Sequence, residues 1–486
     1  MRIKHNKSLF VILGVFVLGF FVFSINFFPA KAAGGEWENV GPSAIGDNGY
    51  WPSLAFHPLT YQPYIAYRDN TNNWRATVKK FDGSSWSDVG IPGMSYASAV
   101  YTQIAFSGSG DPYVAYRDSA RSGKASVLKF NGSSWQYVGD ETFSDGEAGY
   151  LRLVFNPSTD EPYLAYGDAN LGGLAVVKKF NGTSWENVGT PGISEGPASN
   201  TLAMAFNPNT NEPYLAFSDA AIFTKAVVKK FNGSAWEMVG ASGFSPTSAE
   251  FIDIAFNPTT SEPYVVLTDE TNDEDKATVM KFNGSSWEYV GNQQFSSADI
   301  QEPSIAFNPT TNEAHIVFGD GAYSDKISVM KWNGSGWEYV GTPGFSDYSS
   351  GNNNKSFVFD PFTKEPYLVI SGGGSGNRIS VWKYGKTSLS PSSFAYSAKK
   401  TKRKVNFTFQ DLNLSAKKKN VAVRINGKKV KISRVRKSGV NTVASGTLNH
   451  KKWARGSYDA TISFRYKIGR TTRTKTWVAK NTLTIE

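Results

Sequence analysis

KFNGSSWEYVG, residues 281–291, decides how this chain is read, because it is written several times over. KFDGSSWSDVG ends at Gly90, KFNGSSWQYVG at Gly139, KFNGTSWENVG at Gly189, KFNGSAWEMVG at Gly240 and KWNGSGWEYVG at Gly341. A shortened copy, EWENVG, begins at Glu36. The tryptophans of the phrase are Trp37, Trp86, Trp135, Trp185, Trp236, Trp287 and Trp337, spaced by 49, 49, 50, 51, 51 and 50 residues. A period near fifty calls for a repeat architecture before any other reading.

Inside one unit, SIAFNP is a short apolar strand broken by Asn-Pro and TTNE supplies a turn. AHIVFGD is a second strand, KISVMKW alternates with period two, NGSG makes a tight hairpin and WEYVG closes the unit. Short strands punctuated by Asn-Gly and Pro, without helical periodicity, mean an all-β fold. Four antiparallel strands repeated around a ring describe a β-propeller blade. A linear β-solenoid is the alternative, and it needs caps at both ends. The ends favour the ring. WENVG is a fourth strand lacking its first three, and the last unit (SFVFDP, EPYLVIS, RISVWKYG) lacks its Trp strand. Joining these halves completes a seventh blade without an open edge. The expectation is a seven-bladed β-propeller over residues 33–386, with Trp37–Gly41 as the closing strand.

Before the repeats, MRIKHNK is basic, residues 8–28 are strongly apolar and Ala30-Lys31-Ala32 offers a small-x-small cleavage site. Residues 1–32 are expected to be a signal peptide, with no membrane span once it is cleaved. Retention as an anchor is the alternative, since the apolar run is long enough to span. The chain has no cysteine. An exported protein without disulfides relies on burial and repeat packing, which suggests a bacterial source.

The net charge of +10 hides a step. Residues 33–386 hold 23 basic and 38 acidic side chains, whereas residues 387–486 hold 24 basic and 3 acidic. Such a step marks a domain boundary and two surfaces with different partners. Residues 387–395 are expected to be a linker. Residues 396–486, with alternating stretches such as NVAVRINGKKVKI and SYDATISFRYKI, are expected to form a small immunoglobulin-like β-sandwich. Its basic surface suits an anionic cell-wall or surface polymer. A solvated lysine-rich surface is the plainer reading, and nucleic acid is not expected as the partner of an exported protein.

The pattern FNGSSWExVG with AFNPxTxEPYxAYxD resembles secreted bacterial propeller repeats of the kelch, sialidase and fucose-lectin kind, over residues 37–386. The kelch double glycine is missing, the NGSSW turn has the wrong spacing for a sialidase Asp-box, and no arginine triad can be assembled. No catalytic residue is carried over from these families. The stretch ARGSYDATISFRYKIGRTTRTKTW resembles the final strands of bacterial surface Ig-like modules.

Chemistry is sparse. The histidines His5, His57, His315 and His450 lie at no metal-ligand spacing, and no cofactor or metal is expected. Asp69, Asp118, Asp168, Asp219, Asp269 and Asp320 end the second strand of six units. They either ring a cation or cap their own turns. The tryptophans either offer sugar-stacking platforms or pack blade against blade.

The repeat loses its wording where the first strand begins. Five residues before its Phe stand Trp51, Tyr101, Tyr150, Thr201, Phe251, Glu302 and Asn354. Three before it stand Ser53, Gln103, Arg152, Ala203, Asp253, Ser304 and Ser356. These positions should lie near the mouth of the central channel. Trp51, Tyr101, Gln103, Tyr150, Arg152, Phe251, Asp253 and Glu302 are the candidate ligand-binding residues, since aromatics among polar groups suit sugars or peptide side chains. Simple tolerance of variation on a loop face is the competing reading. Asp253 with Glu250 or Glu302 would be the first carboxylate pair to examine for glycoside chemistry. The leading expectation is an exported, non-catalytic binding or adhesion protein for carbohydrate or protein. A sialidase- or glycosidase-type hydrolase or lyase, or a structural surface-layer component, are the alternatives.

Overall fold

Each Asn-Gly hairpin of the repeat turns on a glycine in the left-handed region, as at Gly132 (φ 97°), a conformation that costs a residue without Cβ little. The preceding Asn131 side chain accepts from the Ser133 and Ser134 amides, locking the turn. The hairpin delivers Trp135 into a fourth strand of three residues, Trp135–Tyr137.

The computed structural model describes residues 35–385 apart from 47, 272–273, 350–354 and 373–376, and beyond them only strand backbones between residues 390 and 485. The expected signal peptide at 1–32 and candidate position Asn354 lie outside the described residues, as does most of the 387–395 linker. Seven four-stranded antiparallel sheets follow one another. In blade 1 the strands are Gly49–Phe56, Pro63–Asp69, Arg75–Phe81 and Trp86–Asp88. Blade 7 comprises Ser356–Phe359, Pro366–Gly372 and Arg378–Gly385, with Glu36–Asn39 hydrogen-bonded to the last of these. The first strand of each blade lies against that of the next, and blade 7 lies against blade 1. The chain is a seven-bladed β-propeller.

Two aromatic devices couple the blades. The Tyr of each Pro-Tyr pair packs edge-on against the Phe that ends the next blade's first strand. The ring centroids are 5.0 Å apart for Tyr64–Phe106 and Tyr113–Phe155, 5.1 Å for Tyr163–Phe206, 5.0 Å for Tyr214–Phe256 and 4.9 Å for Tyr264–Phe307. His315 replaces Tyr against Phe359 at 5.1 Å, and Tyr367 meets Phe56 at 5.0 Å across the blade 7–blade 1 junction. Such edge-to-face pairs add to the area that they bury. The second device is the tryptophan. Every Nε1 donates to a valine carbonyl of the preceding blade at 2.6–2.8 Å, from Trp86 to Val40 around to Trp337 to Val290 and Trp37 to Val340. Several of these indoles also stack flat on a phenylalanine, as Trp287 does on Phe244 at 4.2 Å. The repeated phrase therefore encodes inter-blade packing, and its tryptophans are not free platforms.

The first strands are longer than the apolar motif alone implies. In blade 6 the strand runs Ile300–Phe307, starting before SIAFNP, because pairing resumes beyond an irregularity between Gln301 and Ser304. Equivalent register shifts occur in blades 1 to 5.

In the C-terminal region the strands Ser390–Pro391, Arg403–Gln410, Val421–Ile425, Lys428–Ser438, Asn441–Leu448, Gly456–Ile468 and Thr471–Ile485 pair antiparallel. The 428–438 strand pairs with both 421–425 and 441–448, and 456–468 pairs with 421–425 and 471–485. Among the described residues no helix is long and apolar enough to cross a membrane.

Candidate functional site

The bulges aim side chains. In blade 1, Tyr50 pairs with Arg68 and Ser53 with Ala66, so Trp51 and Pro52 together oppose Tyr67. Trp51 takes φ 48°, and the equivalent Tyr101, Tyr150 and Glu302 take φ 56°, 54° and 44°. A left-handed backbone at a residue with a Cβ costs roughly 1–2 kcal/mol. Its recurrence at one strand position in four blades, three of them with aromatic side chains, marks a built feature.

Those aromatics meet around the ring. Trp51 lies 5.5 Å from Tyr101, and Tyr101 lies 5.4 Å from Tyr150, centroid to centroid. Tyr50 extends the run, 6.0 Å from Trp51 and 5.5 Å from Trp74. All five rings are half-buried, leaving part of each to solvent. Two guanidinium groups lie among them. Arg68 sits 4.2 Å from the Trp74 ring centre and 5.1 Å from Trp51, and Arg117 sits 5.2 Å from Tyr101. Arg117 also pairs with Glu147. Burial and the Tyr150 hydroxyl push the Tyr101 phenol above its ordinary pKa.

The ring of positions two residues further on ties the first strands together. Ser53 Oγ accepts from the Ile104 amide at 3.1 Å, and Ser356 Oγ donates to the Leu54 carbonyl. Arg152 Nε donates to the Leu202 carbonyl at 3.2 Å. Asp253 Oδ2 accepts from Ser304 Oγ at 2.6 Å and from the Ile305 amide at 3.0 Å. Arg152 and Asp253 thus bridge neighbouring blades, while Gln103 lies half-buried in the same ring. Glu302 stands 3.9 Å from the Lys355 ammonium, whose side chain is 1% exposed. Burial raises the Glu302 carboxyl, against the pull of Lys355 and Arg152, and burial lowers the Lys355 ammonium, against the pull of Glu302. Phe251 holds the equivalent place in blade 5, outside the aromatic run of blades 1 to 3.

Five of the six aspartates expected to end the second strands do so, while the blade 5 strand runs past Asp269 to Thr271, and all six are spent on their own surroundings. Asp69, Asp118, Asp168, Asp219 and Asp320 each accept from the amide two residues on. Asp269 accepts from Thr278 Oγ1 and Gln293 Nε2. All six are buried. Among the described residues, no cluster of three or more His, Asp or Glu could hold a metal ion. Blade 5 gathers carboxylates: burial first, then Asp275 and Glu270, raises the Glu250 carboxyl.

Of the expected positions, Trp51, Tyr101 and Tyr150 come together in this run, beside Tyr50, Arg68, Trp74 and Arg117, which were not among them. The signal for the arginines was present. Arg68 and Arg117 stand in AYRD where the other blades have Gly167, Ser218, Thr268, Gly319 and Ser371. A separate groove of about 770 Å³ lies between blades 1 and 2, lined by Arg75, Met94, Ser133 and Trp135 with the exposed Ile91 and Tyr96.

No family model and no curated protein matches the chain. Among solved structures it is similar to a xyloglucanase from Xanthomonas campestris, with 14% identity over 72% of this chain and 53% of that one and a TM-score of 0.47. An ulvan lyase from a new family of polysaccharide lyases shares 11% identity over 71% of this chain and 96% of its own, with a TM-score of 0.46. The SapL1 lectin, solved with α-methyl fucoside, shares 16% over 60% and 96%, with a TM-score of 0.39. At these identities the likeness is one of fold, and propellers host many activities.

Proposed function

We propose that the chain is an exported, non-catalytic binding protein whose propeller mouth takes carbohydrate. One observation carries this reading: Trp51, Tyr101 and Tyr150, on three consecutive blades, present a continuous aromatic run on backbone twisted into the left-handed region. Flat aromatic faces among polar groups match the apolar face and hydroxyl rim of a sugar ring. The engagements of Asp253 and Glu302 favour binding over hydrolysis. Asp253 is held by Ser304 and Ile305, and Glu302 faces an ammonium group rather than a second carboxylate. In this reading residues 1–32 direct export, and Glu36–Asn39 closes the ring. The basic region 396–486, folded as an Ig-like module, holds the protein to an anionic polymer of the cell surface.

The test is a glycan array and a cell-wall pull-down with the full chain. Trp51→Ala combined with Tyr150→Ala should lower the array signal at least tenfold without shifting the thermal midpoint by more than a few degrees. An unchanged array signal ends the carbohydrate reading. Retention on the wall should fall steeply between low and physiological salt if the basic region is the tether. Salt-insensitive retention removes that part.

A further inference from the structure

The distribution of arginine carries the reading further. Residues 33–386 contain six arginines, Arg68, Arg75, Arg117, Arg121, Arg152 and Arg378, confined to blades 1, 2, 3 and 7. The lysines of the blades are placed differently. Lys179, Lys230, Lys281 and Lys331, for example, pair with glutamates next to the AFNP turns and Trp strands. Arginine in this acidic propeller is thus kept to four consecutive blades of the ring, with Arg68 and Arg117 against the mouth aromatics, and the acidic group of Glu250, Glu270, Asp275 and Asp299 belongs to blades 5 and 6.

Arg68 is the unusual member. Its guanidinium lies against Trp74, Trp51 and Tyr50, at 4.2, 5.1 and 5.9 Å from their ring centres. It enters no salt bridge with a described carboxylate, and its Nε is buried with no hydrogen-bond partner. Its neighbour Asp69 is committed to Thr71, Asn72 and Thr77. A partly desolvated cation without a counter-charge is unfavourable on its own, and pairing it with an anion repays that cost. A guanidinium offers a planar fork that fits a carboxylate or sulfate with two parallel hydrogen bonds. The three rings packed around the fork confine it, so little side-chain freedom remains to be lost on binding.

Resting on the carbohydrate reading of the mouth, we propose that the Arg68 quarter recognises an anionic sugar unit, one bearing a carboxylate or a sulfate ester, in preference to its neutral counterpart. The rings of Trp51, Tyr101 and Tyr150 take the face of the sugar, and Arg68, with Arg117 beside it, takes the acidic group. The carboxylates of blades 5 and 6 repel that group from the other side of the channel and so set the direction in which the sugar lies.

The experiment uses the full chain and short probes, tri-galacturonate against its methyl ester, with sulfated against unsulfated dextran oligosaccharide as the second arm. The intact protein is expected to bind at least one acidic probe tenfold or more tightly than its neutral partner. Arg68→Met should abolish that preference, and Arg68→Lys should leave an intermediate one. Arg117→Met, a second variant independent of Arg68 folding, should weaken it. Arg75→Met, outside the mouth, should leave it intact. Which arm responds identifies carboxylate or sulfate. A preference that survives both Arg68→Met and Arg117→Met means that the anion is held elsewhere, the basic C-terminal region included, and overturns the proposal. Equal binding of acidic and neutral probes, lost on Trp51→Ala, overturns it while leaving the carbohydrate reading in place. Absence of binding to these probes and to the glycan array overturns both.

Discussion

His315 stands where the six other blades carry the tyrosine of a Pro-Tyr pair, and it is 4% exposed with its ring edge-on to Phe359. Burial drives its pKa down from 6.5 to about 4, only partly offset by the Glu313 carbonyl and carboxylate. The folded state therefore keeps the imidazole neutral while the unfolded chain protonates it. The stability that this neutrality represents is complete above pH 6.5 and is lost as pH falls from 6.5 toward 4. The variant His315→Tyr should thus gain relative to the parent by about 2 kcal/mol between pH 7 and pH 4.5. Urea midpoints at the two pH values check this, and a difference independent of pH would rule it out. Both propeller histidines occupy repeat positions that other residues hold in the remaining blades. His57 Nδ1 accepts from the Leu59 and Thr60 amides, the task of Asn156 Oδ1 two blades later. Lys355 was not legible, because its partner Glu302 comes from the preceding blade and only the packing of blade on blade brings the two side by side.

The elements of the repeat earn their wording through contacts that cross from blade to blade. Trp287 shows both halves of the device, donating to the Val239 carbonyl at 2.7 Å and stacking at 4.2 Å on Phe244. Trp287→Phe keeps an aromatic ring but orphans a carbonyl, and the expected cost is about 2 kcal/mol in chemical denaturation. Glycan binding should not change. Loss of binding with stability intact would instead restore a platform role for the tryptophans. Strand number, order and the Asn-Gly hairpins were legible, since each follows from local alternation and turn chemistry. The bulges were not. They depend on where pairing resumes between two strands, as at Ser53 opposite Ala66, and no local pattern records that. The sequence showed only that the wording changes at those positions, Trp51, Tyr101 and Tyr150 among them.

For the whole molecule, the ring form was written in the fifty-residue period, and the charge step was visible in composition alone. Seven sheets surround one channel, and Glu36–Asn39 pairs with Arg378–Gly385 while Trp37 reaches the Val340 carbonyl of blade 6. A chain lacking residues 35–41 would leave 378–385 as an unpaired edge and remove the stack of Trp37 on Phe345, 4.4 Å apart. Its thermal midpoint should drop by ten degrees or more, with concentration-dependent association at the new edge. A midpoint within two degrees of the parent would show that this strand does not hold the ring. What composition could not show was which side chains meet between blades, as Glu302 of blade 6 meets Lys355 at the start of blade 7.

The left-handed residues at the mouth sit inside paired strands, not on long loops. If this face binds as proposed, its recognition surface is carried by the frame itself and has little slack to take up when a guest arrives. It should discriminate by fit, tolerate few shapes, and form its complexes without a slow rearrangement step, much as a cut keyhole differs from a closing hand.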